Sequence, residues 1–99
     1  MTDELPGAVL FACTMNQIRS PMAEALLKYL HGRRIFVQSA GVRAGEVVDP
    51  FAVMVMDELG IDIERHHPRD FDHLEDDYFD LVISLSPEAQ HRAVELTRN

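Results

Sequence analysis

Cys13, Arg19 and Ser20 stand in the order Cys-x5-Arg-Ser, inside the run Cys13-Thr14-Met15-Asn16-Gln17-Ile18-Arg19-Ser20. A cysteine thiolate can attack phosphorus, and the planar guanidinium of Arg19 suits two phosphate oxygens at once. The hydroxyl of Ser20 can donate to the sulfur. Asn16 tolerates the left-handed backbone that a tight loop demands. These types at this spacing predict a phosphate-binding nucleophile loop. Cys13 is its nucleophile, Arg19 its clamp, and the backbone N–H groups of Thr14, Met15, Asn16, Gln17 and Ile18 complete the cradle. A bare Cys-x5-Arg arises by chance in many proteins, so the weight rests on where the loop sits.

Ala8-Val9-Leu10-Phe11-Ala12 is an unbroken apolar run of the kind that forms a strand covered on both faces. Pro21 suits the first turn of a helix, and Met22, Ala23, Leu26, Leu27 and Leu30 recur as a helical stripe up to Gly32. Cys13 therefore falls between the carboxyl end of a strand and the start of a helix. Unpaired N–H groups and the helix dipole favour an anion there, and a thiolate over a thiol. Ligands of open α/β sheets also bind at that end.

The rest of the chain continues the alternation. Ile35-Phe36-Val37 reads as a short strand ended by Ser39-Ala40-Gly41, and Val42 to Val48 as a loop. Pro50 opens a helix with Asp49 as N-cap, an apolar face of Phe51, Met54, Val55 and Leu59, and an end at Gly60. Ile61 to Asp77 reads as loop with a helical turn near Phe71 to Leu74. Leu81 to Leu85 follows as a strand, and Pro87 to Leu96 as a helix capped by Ser86. Strand and helix in alternation predict an α/β fold, a three-layer α/β/α arrangement around an open parallel sheet, in a single domain over residues 1–99.

Bulk composition narrows the function. The 99 residues are 46% hydrophobic and 26% charged, ordinary for a globular domain. The net charge is -8, with residues 61–99 carrying 4 Lys and Arg against 10 Asp and Glu. Such a field repels polyanions, which argues against nucleic acid as a partner. The acidic cluster Asp70, Asp72, Glu75, Asp76, Asp77 and Asp80 reads as a solvated turn. The apolar runs are too short to cross a bilayer, so no membrane is expected. Cys13 is the only cysteine, which excludes an internal disulfide and a multi-cysteine metal site. With no secretory leader in Met1 to Gly7, a reducing, cytoplasmic setting is expected.

Val9 to Ala25, reading Val-Leu-Phe-Ala-Cys-Thr-Met-Asn-Gln-Ile-Arg-Ser-Pro-Met-Ala-Glu-Ala, resembles the start of the low-molecular-weight protein tyrosine phosphatases. The likeness continues through Gln38-Ser39-Ala40-Gly41-Val42, Asp49-Pro50, Leu59-Gly60-Ile61, His66-His67-Pro68-Arg69 and Phe79-Asp80-Leu81-Val82-Ile83. The resemblance implies the phosphatase I-like fold and hydrolysis of a phosphorylated protein or small phosphomonoester. It implies a cysteinyl-phosphate intermediate and neither metal nor other cofactor. It gives Cys13, Arg19 and Ser20 the catalytic roles, and makes Asn16, Ser39 and His66 the network that holds the loop in shape.

Three departures bear on that implication. Met15 and Ile18 replace the family's usual Gly and second Cys, so Met15 must avoid positive φ and Cys13 lacks a neighbouring thiol against over-oxidation. The thioredoxin-coupled arsenate reductases of the same fold need additional cysteines, which sets that activity aside. The Val42 to Val48 loop carries no aromatic wall for a phosphotyrosine ring. The family's fourth strand, its Asp-Pro loop with the general acid and its last helix have no counterpart within the 99 residues. Reduced turnover is therefore expected, with a phosphate- or phosphopeptide-binding module without turnover as the alternative. The strand at 81–85 is then expected to present an apolar edge, unless the 99 residues are a fragment of a longer chain; a second copy could pair that edge or a helix cover it.

Overall fold

A computed structural model describes residues 5–74 and 78–96. It holds three parallel strands, three α-helices and one short 3-10 turn. In chain order these are β1 (Ala8–Cys13), α1 (Arg19–His31), β2 (Phe36–Gly41), α2 (Pro50–Glu58), the 3-10 turn Phe71–His73, β3 (Leu81–Ser84) and α3 (Pro87–Leu96). The sheet order is β2-β1-β3, so β1 is central. Its register runs from Ala8↔Phe36 to Cys13↔Gly41 on one side and from Val9↔Leu81 to Ala12↔Ser84 on the other.

Alternation along β1 sorts its side chains between two layers. Val9 packs with Ile35 and Val37, and Leu27 of α1 leans on them. Leu10 and Ala12 point the other way, into a cluster with Ala40, Phe71 and Ala89 of α3. Both faces of the central strand are covered, as its unbroken apolar run requires. α2 lies against α1 rather than on the sheet, through Ala52 and Met56 against Met22 and Ala25.

The two later helices carry the N-caps their sequence announces. The Asp49 carboxylate accepts from Phe51 N–H at 2.9 Å and Ala52 N–H at 3.2 Å, and the Ser86 hydroxyl accepts from Ala89 N–H at 3.2 Å. Gly60, at φ +77, turns the chain out of α2.

Four expectations need correction. β2 does not stop before Ser39; it runs on to Gly41, because β1 offers a hydrogen-bonding partner at every step. The face of α2 that meets the core is Ala52 and Met56, while Phe51, Met54, Val55 and Leu59 are exposed, Phe51 at 73%. In α1 the buried positions are Ser20, Pro21 and Glu24, and Leu26 and Leu30 face solvent. The acidic cluster is also more than a solvated turn. The Asp80 carboxylate accepts from Gly7 N–H at 2.7 Å and Ala8 N–H at 2.9 Å, which ties the start of β3 to the start of β1. Those bonds, the one from Ala8 foremost, hold its carboxyl below the usual range. Asp70 caps the 3-10 turn through His73 N–H, and Asp72 pairs with Arg92. Glu75, Asp76 and Asp77 lie outside the described residues.

The two methionines of α2 separate the faces. Met56, fully buried, should cost about 2–5 kcal/mol on Met56→Ala, and Met54→Ala should stay within about 0.5 kcal/mol, as read by urea denaturation. Equal losses would contradict the assignment of the buried face.

Candidate active site

The loop between β1 and α1 owes its shape to the segment that follows β2. The carbonyls of Cys13, Thr14, Met15 and Gln17 accept from the N–H groups of Val42 (3.1 Å), Arg43 (2.9 Å), Gly45 (3.0 Å) and Asp49 (2.9 Å). Each trans peptide sets its N–H opposite its carbonyl. Drawing these four carbonyls outward therefore turns the N–H groups of Thr14, Met15, Asn16 and Ile18 inward. Asn16 N–H accordingly meets the Cys13 sulfur at 3.3 Å. The neighbouring start of α1 is left open. No side chain caps it and no acidic residue stands in its first turn, whereas α2 and α3 each have a side-chain cap. Unpaired donors are thus concentrated where the loop already aims its own.

Beneath the loop lies a chain of hydrogen bonds whose direction is fixed at one end. Asn16 sits at φ 58, is fully buried, and is the one non-glycine with positive φ among the described residues. Its Oδ1 accepts from the backbone N–H of Arg69 at 2.9 Å. A backbone N–H can only donate, so the amide orientation is determined. Its Nδ2 then donates to Ser20 Oγ at 2.7 Å and to Ser39 Oγ at 2.9 Å. Ser20 Oγ lies 2.9 Å from the Cys13 sulfur and, keeping its own proton free, is placed to donate to that sulfur as a thiolate. Ser39 in turn donates to the Glu24 carboxylate, whose other oxygen pairs with Lys28 Nζ at 2.6 Å. His66 Nε2 completes the set by donating to Asn16 Oδ1 at 3.0 Å. The sulfur accepts from a hydroxyl and from an amide, an arrangement that suits a nucleophile more than a structural thiol.

Arg19 closes the open side. Its Nη1 donates to the Leu85 carbonyl at 2.7 Å, which holds the guanidinium beside the loop. Thr14 Oγ1 donates to Ser86 Oγ at 3.0 Å on the same flank. A small cavity of about 120 Å³ is lined by Cys13, Thr14, Met15, Gln17, Ile18 and Arg19. A larger cavity, about 680 Å³, lies along Lys28 to Gln38 at the turn that precedes β2, the opposite end of the sheet from Cys13. The small one has the reactive groups and the matching size for a single tetrahedral oxyanion.

The sequence model of the low molecular weight phosphotyrosine protein phosphatases matches residues 8–99. The chain belongs to that family. Among curated relatives, the glutaredoxin arsenate reductase of Synechocystis is 39% identical over 77 residues, which are 78% of this chain and 58% of the reductase. A probable low molecular weight protein-tyrosine-phosphatase, EpsP of Ralstonia solanacearum, is 44% identical over 59 residues, which are 59% of this chain and 41% of that protein. Among solved structures, the arginine phosphatase YwlE of Geobacillus stearothermophilus superposes with a TM-score of 0.79 at 34% identity, covering 94% of this chain and 61% of that one. The chain thus spans less than two thirds of each of these relatives.

In this family member every residue singled out in the sequence, from Cys13 to Ser20 with Ser39 and His66, meets in one region. Met15 avoids positive φ, since that conformation falls on Asn16. Two further contributors escaped sequence reasoning. Glu24 has the look of a surface carboxylate, yet it is buried and ends the hydrogen-bond chain. Gly41 carries no chemistry, but a Cβ there would stand 2.8 Å from both Asn16 N and Thr14 O, backbone atoms of the loop. A glycine directly after Ser39-Ala40, at the carboxyl end of a strand, was the available signal. Among the described residues no group of three His, Cys, Asp or Glu side chains is placed to hold a metal ion.

His66 reports on the chain of bonds. Burial lowers its pKa below 6.5; Glu24 pulls the other way, and Arg69 and Lys28 add to the lowering. A group depressed in the folded state contributes stability above 6.5, and that stability is lost as pH falls through 6.5 toward the folded value. His73, bonded to Asp70 on the surface, shifts upward instead. A histidine NMR titration should place His66 below 6.5 and His73 above it. His66→Gln, which keeps a donor for Asn16, should flatten the loss of stability below that pH. Coincident midpoints would show that His66 is not held as described.

Proposed function

We propose that the chain is a phosphomonoesterase working through Cys13, on a phosphorylated protein or a small phosphomonoester. The observation that supports this best is the Cys13 sulfur, which accepts from Ser20 Oγ and Asn16 N–H at the floor of a cradle flanked by Arg19. The thiolate attacks phosphorus, an S–P bond forms as the ester P–O bond breaks, and the leaving oxygen takes a proton from solvent water. Water then attacks phosphorus, the S–P bond breaks, and inorganic phosphate leaves with the thiolate restored. Arg19 and the inward N–H groups of Thr14, Met15, Asn16 and Ile18, joined by that of Gln17, hold the equatorial oxygens, whose charge grows in the transition state. Ser20 stabilises the sulfur as it departs, and Asn16, Ser39 and His66 keep the loop in register. Hydrolysis needs one thiolate and water. Reduction of an oxyanion by thiols needs a partner for Cys13, the only cysteine in these 99 residues. That difference favours the phosphatase over the reductase activity named for some relatives.

A second role, phosphate or phosphopeptide binding with little turnover, is favoured by one feature. Among the described residues no carboxyl group lines the cavity at Cys13, so no proton donor stands beside the leaving oxygen. We place the protein in the cytoplasm, where the lone thiol stays reduced; among the described residues no helix is long and apolar enough to cross a membrane. Self-association through an edge of the sheet is supported by β3, whose Leu81 is 44% exposed on an outer strand.

Hydrolysis of p-nitrophenyl phosphate tests the main proposal. Cys13→Ser should lower the rate by about a thousand-fold or more, while phosphate or vanadate binding persists by calorimetry. Equal rates in the two proteins would dismiss nucleophilic catalysis, and binding without turnover in the wild type would favour the second role. Sedimentation at micromolar concentration should reveal dimer; a clean monomer would remove the edge pairing.

A further inference from the structure

Behind the cradle, on the side of the hydrogen-bond chain away from Cys13, is a second cavity of about 310 Å³. Its wall carries Lys28, Arg65, Arg69, His66 and His67, against the carboxylates of Glu24 and Asp62. The balance is positive on a chain whose net charge is -8. Lys28 and Glu24 cancel one another at 2.6 Å, with Glu24 also engaged by Ser39, which leaves Arg65 and Arg69 against Asp62, one oxygen of which accepts from Glu64 N–H at 2.9 Å. Arg65 and Arg69 have no carboxylate partner among the described residues, whereas Arg43 and Arg92 are both paired. Two guanidinium groups with no carboxylate bonded to them among the described residues, on one concave wall, form an anion site by the same logic that makes Arg19 a clamp. The volume lies at the lower bound for small-ligand sites, roughly 300–1,000 Å³, which suits a compact polyanion.

We infer that this cavity is a second, regulatory site for a small multivalent oxyanion, a phosphate or carboxylate compound, and that its occupancy is relayed to the Cys13 loop through His66. The relay is short. His66 Nδ1 stands 3.9 Å from Glu24 Oε1, and its Nε2 donates to Asn16 Oδ1. Burial opposes a proton on His66 most, and Arg69 and Lys28 oppose it further. An anion between them offsets that opposition and favours the proton, which sits on Nδ1 facing Glu24. Glu24 Oε1 then has a second suitor besides Ser39, and Ser39 is the acceptor that holds one arm of the Asn16 amide. Coupling of this kind is reciprocal, so an anion in the cradle alters affinity for the anion behind it. Nothing in this requires turnover at Cys13.

The test uses the full chain, isotopically labelled, with the cradle saturated by vanadate, and titrates inorganic pyrophosphate and, separately, citrate. At least one of them should produce saturable amide shifts at Arg65, His66 and Asn16, together with an upward move of the His66 titration midpoint. Arg65→Gln, an exposed position outside the hydrogen-bond chain, should weaken that binding about ten-fold or more, and Arg65→Lys should restore part of it. A response to pyrophosphate alone assigns the site to phosphate compounds, and to citrate alone to carboxylates. Absence of saturable shifts with both, shifts unchanged in Arg65→Gln, or a His66 midpoint that stays still would overturn the inference. If vanadate fails to bind the cradle, the proposed function is in question, and the titration at Arg65 still decides this one.

Discussion

The hydrogen bond from Arg69 N–H to Asn16 Oδ1 is the constraint on which the site depends. Because that donor cannot reverse, it fixes which end of the amide faces which neighbour, and every later bond inherits its direction. Oδ1 takes two donors and Nδ2 gives two, so a fully buried amide is satisfied at all four positions. Its partners come from α1, β2 and the segment before the 3-10 turn. Asn16 thereby couples three separate parts of the chain to the loop that holds Cys13. An apolar residue of similar size would remove all four bonds at once and strand Arg69 N–H and His66 Nε2, a loss several-fold larger than that of one surface contact.

A second consequence concerns when the cradle forms. Its inward N–H groups are set by the four backbone bonds from residues 42–49, all of them made by the chain itself. Donors aimed in advance do not have to reorganise when charge develops on phosphorus, which is the condition for electrostatic catalysis. The close approach that allows those bonds depends on Gly41, where the loop backbone passes too near for a Cβ. β2 must therefore run to Gly41 in full register with β1, and the extra length of that strand serves the site as much as the sheet.

Much of this was legible before any coordinates. The apolar run before Cys13, Pro21 after it, and the caps Asp49 and Ser86 each announce local structure through residues whose chemistry has few alternatives. What failed shares one cause. Hydrophobic periodicity reports where apolar side chains recur, not which neighbour will arrive to cover them. α2 is apolar on more than one side, so its pattern does not choose between Phe51, Met54 and Val55 on one hand and Ala52 and Met56 on the other; packing against Met22 and Ala25 of α1 chooses. Glu24 was missed for the opposite reason, since a charge in a helix reads as solvent-facing until Lys28, Ser39 and His66 are seen around it. Polar Gln38-Ser39 concealed the second half of β2 in the same way.

The site is also unevenly supported, and that follows from the strand order. Asn16, Ser20 and Ser39, which govern the sulfur, are fully buried beside the central strand. Arg19 is exposed, and its anchor is the Leu85 carbonyl just past β3, the shortest strand, none of whose side chains is fully buried. Local opening begins where few buried contacts resist it. The clamp is therefore anchored through an edge strand, and the sulfur and its donors through the central one. The two halves of the cradle, nucleophile and guanidinium, are thus held by different parts of the core, and the orientation of the guanidinium is the softer of the two.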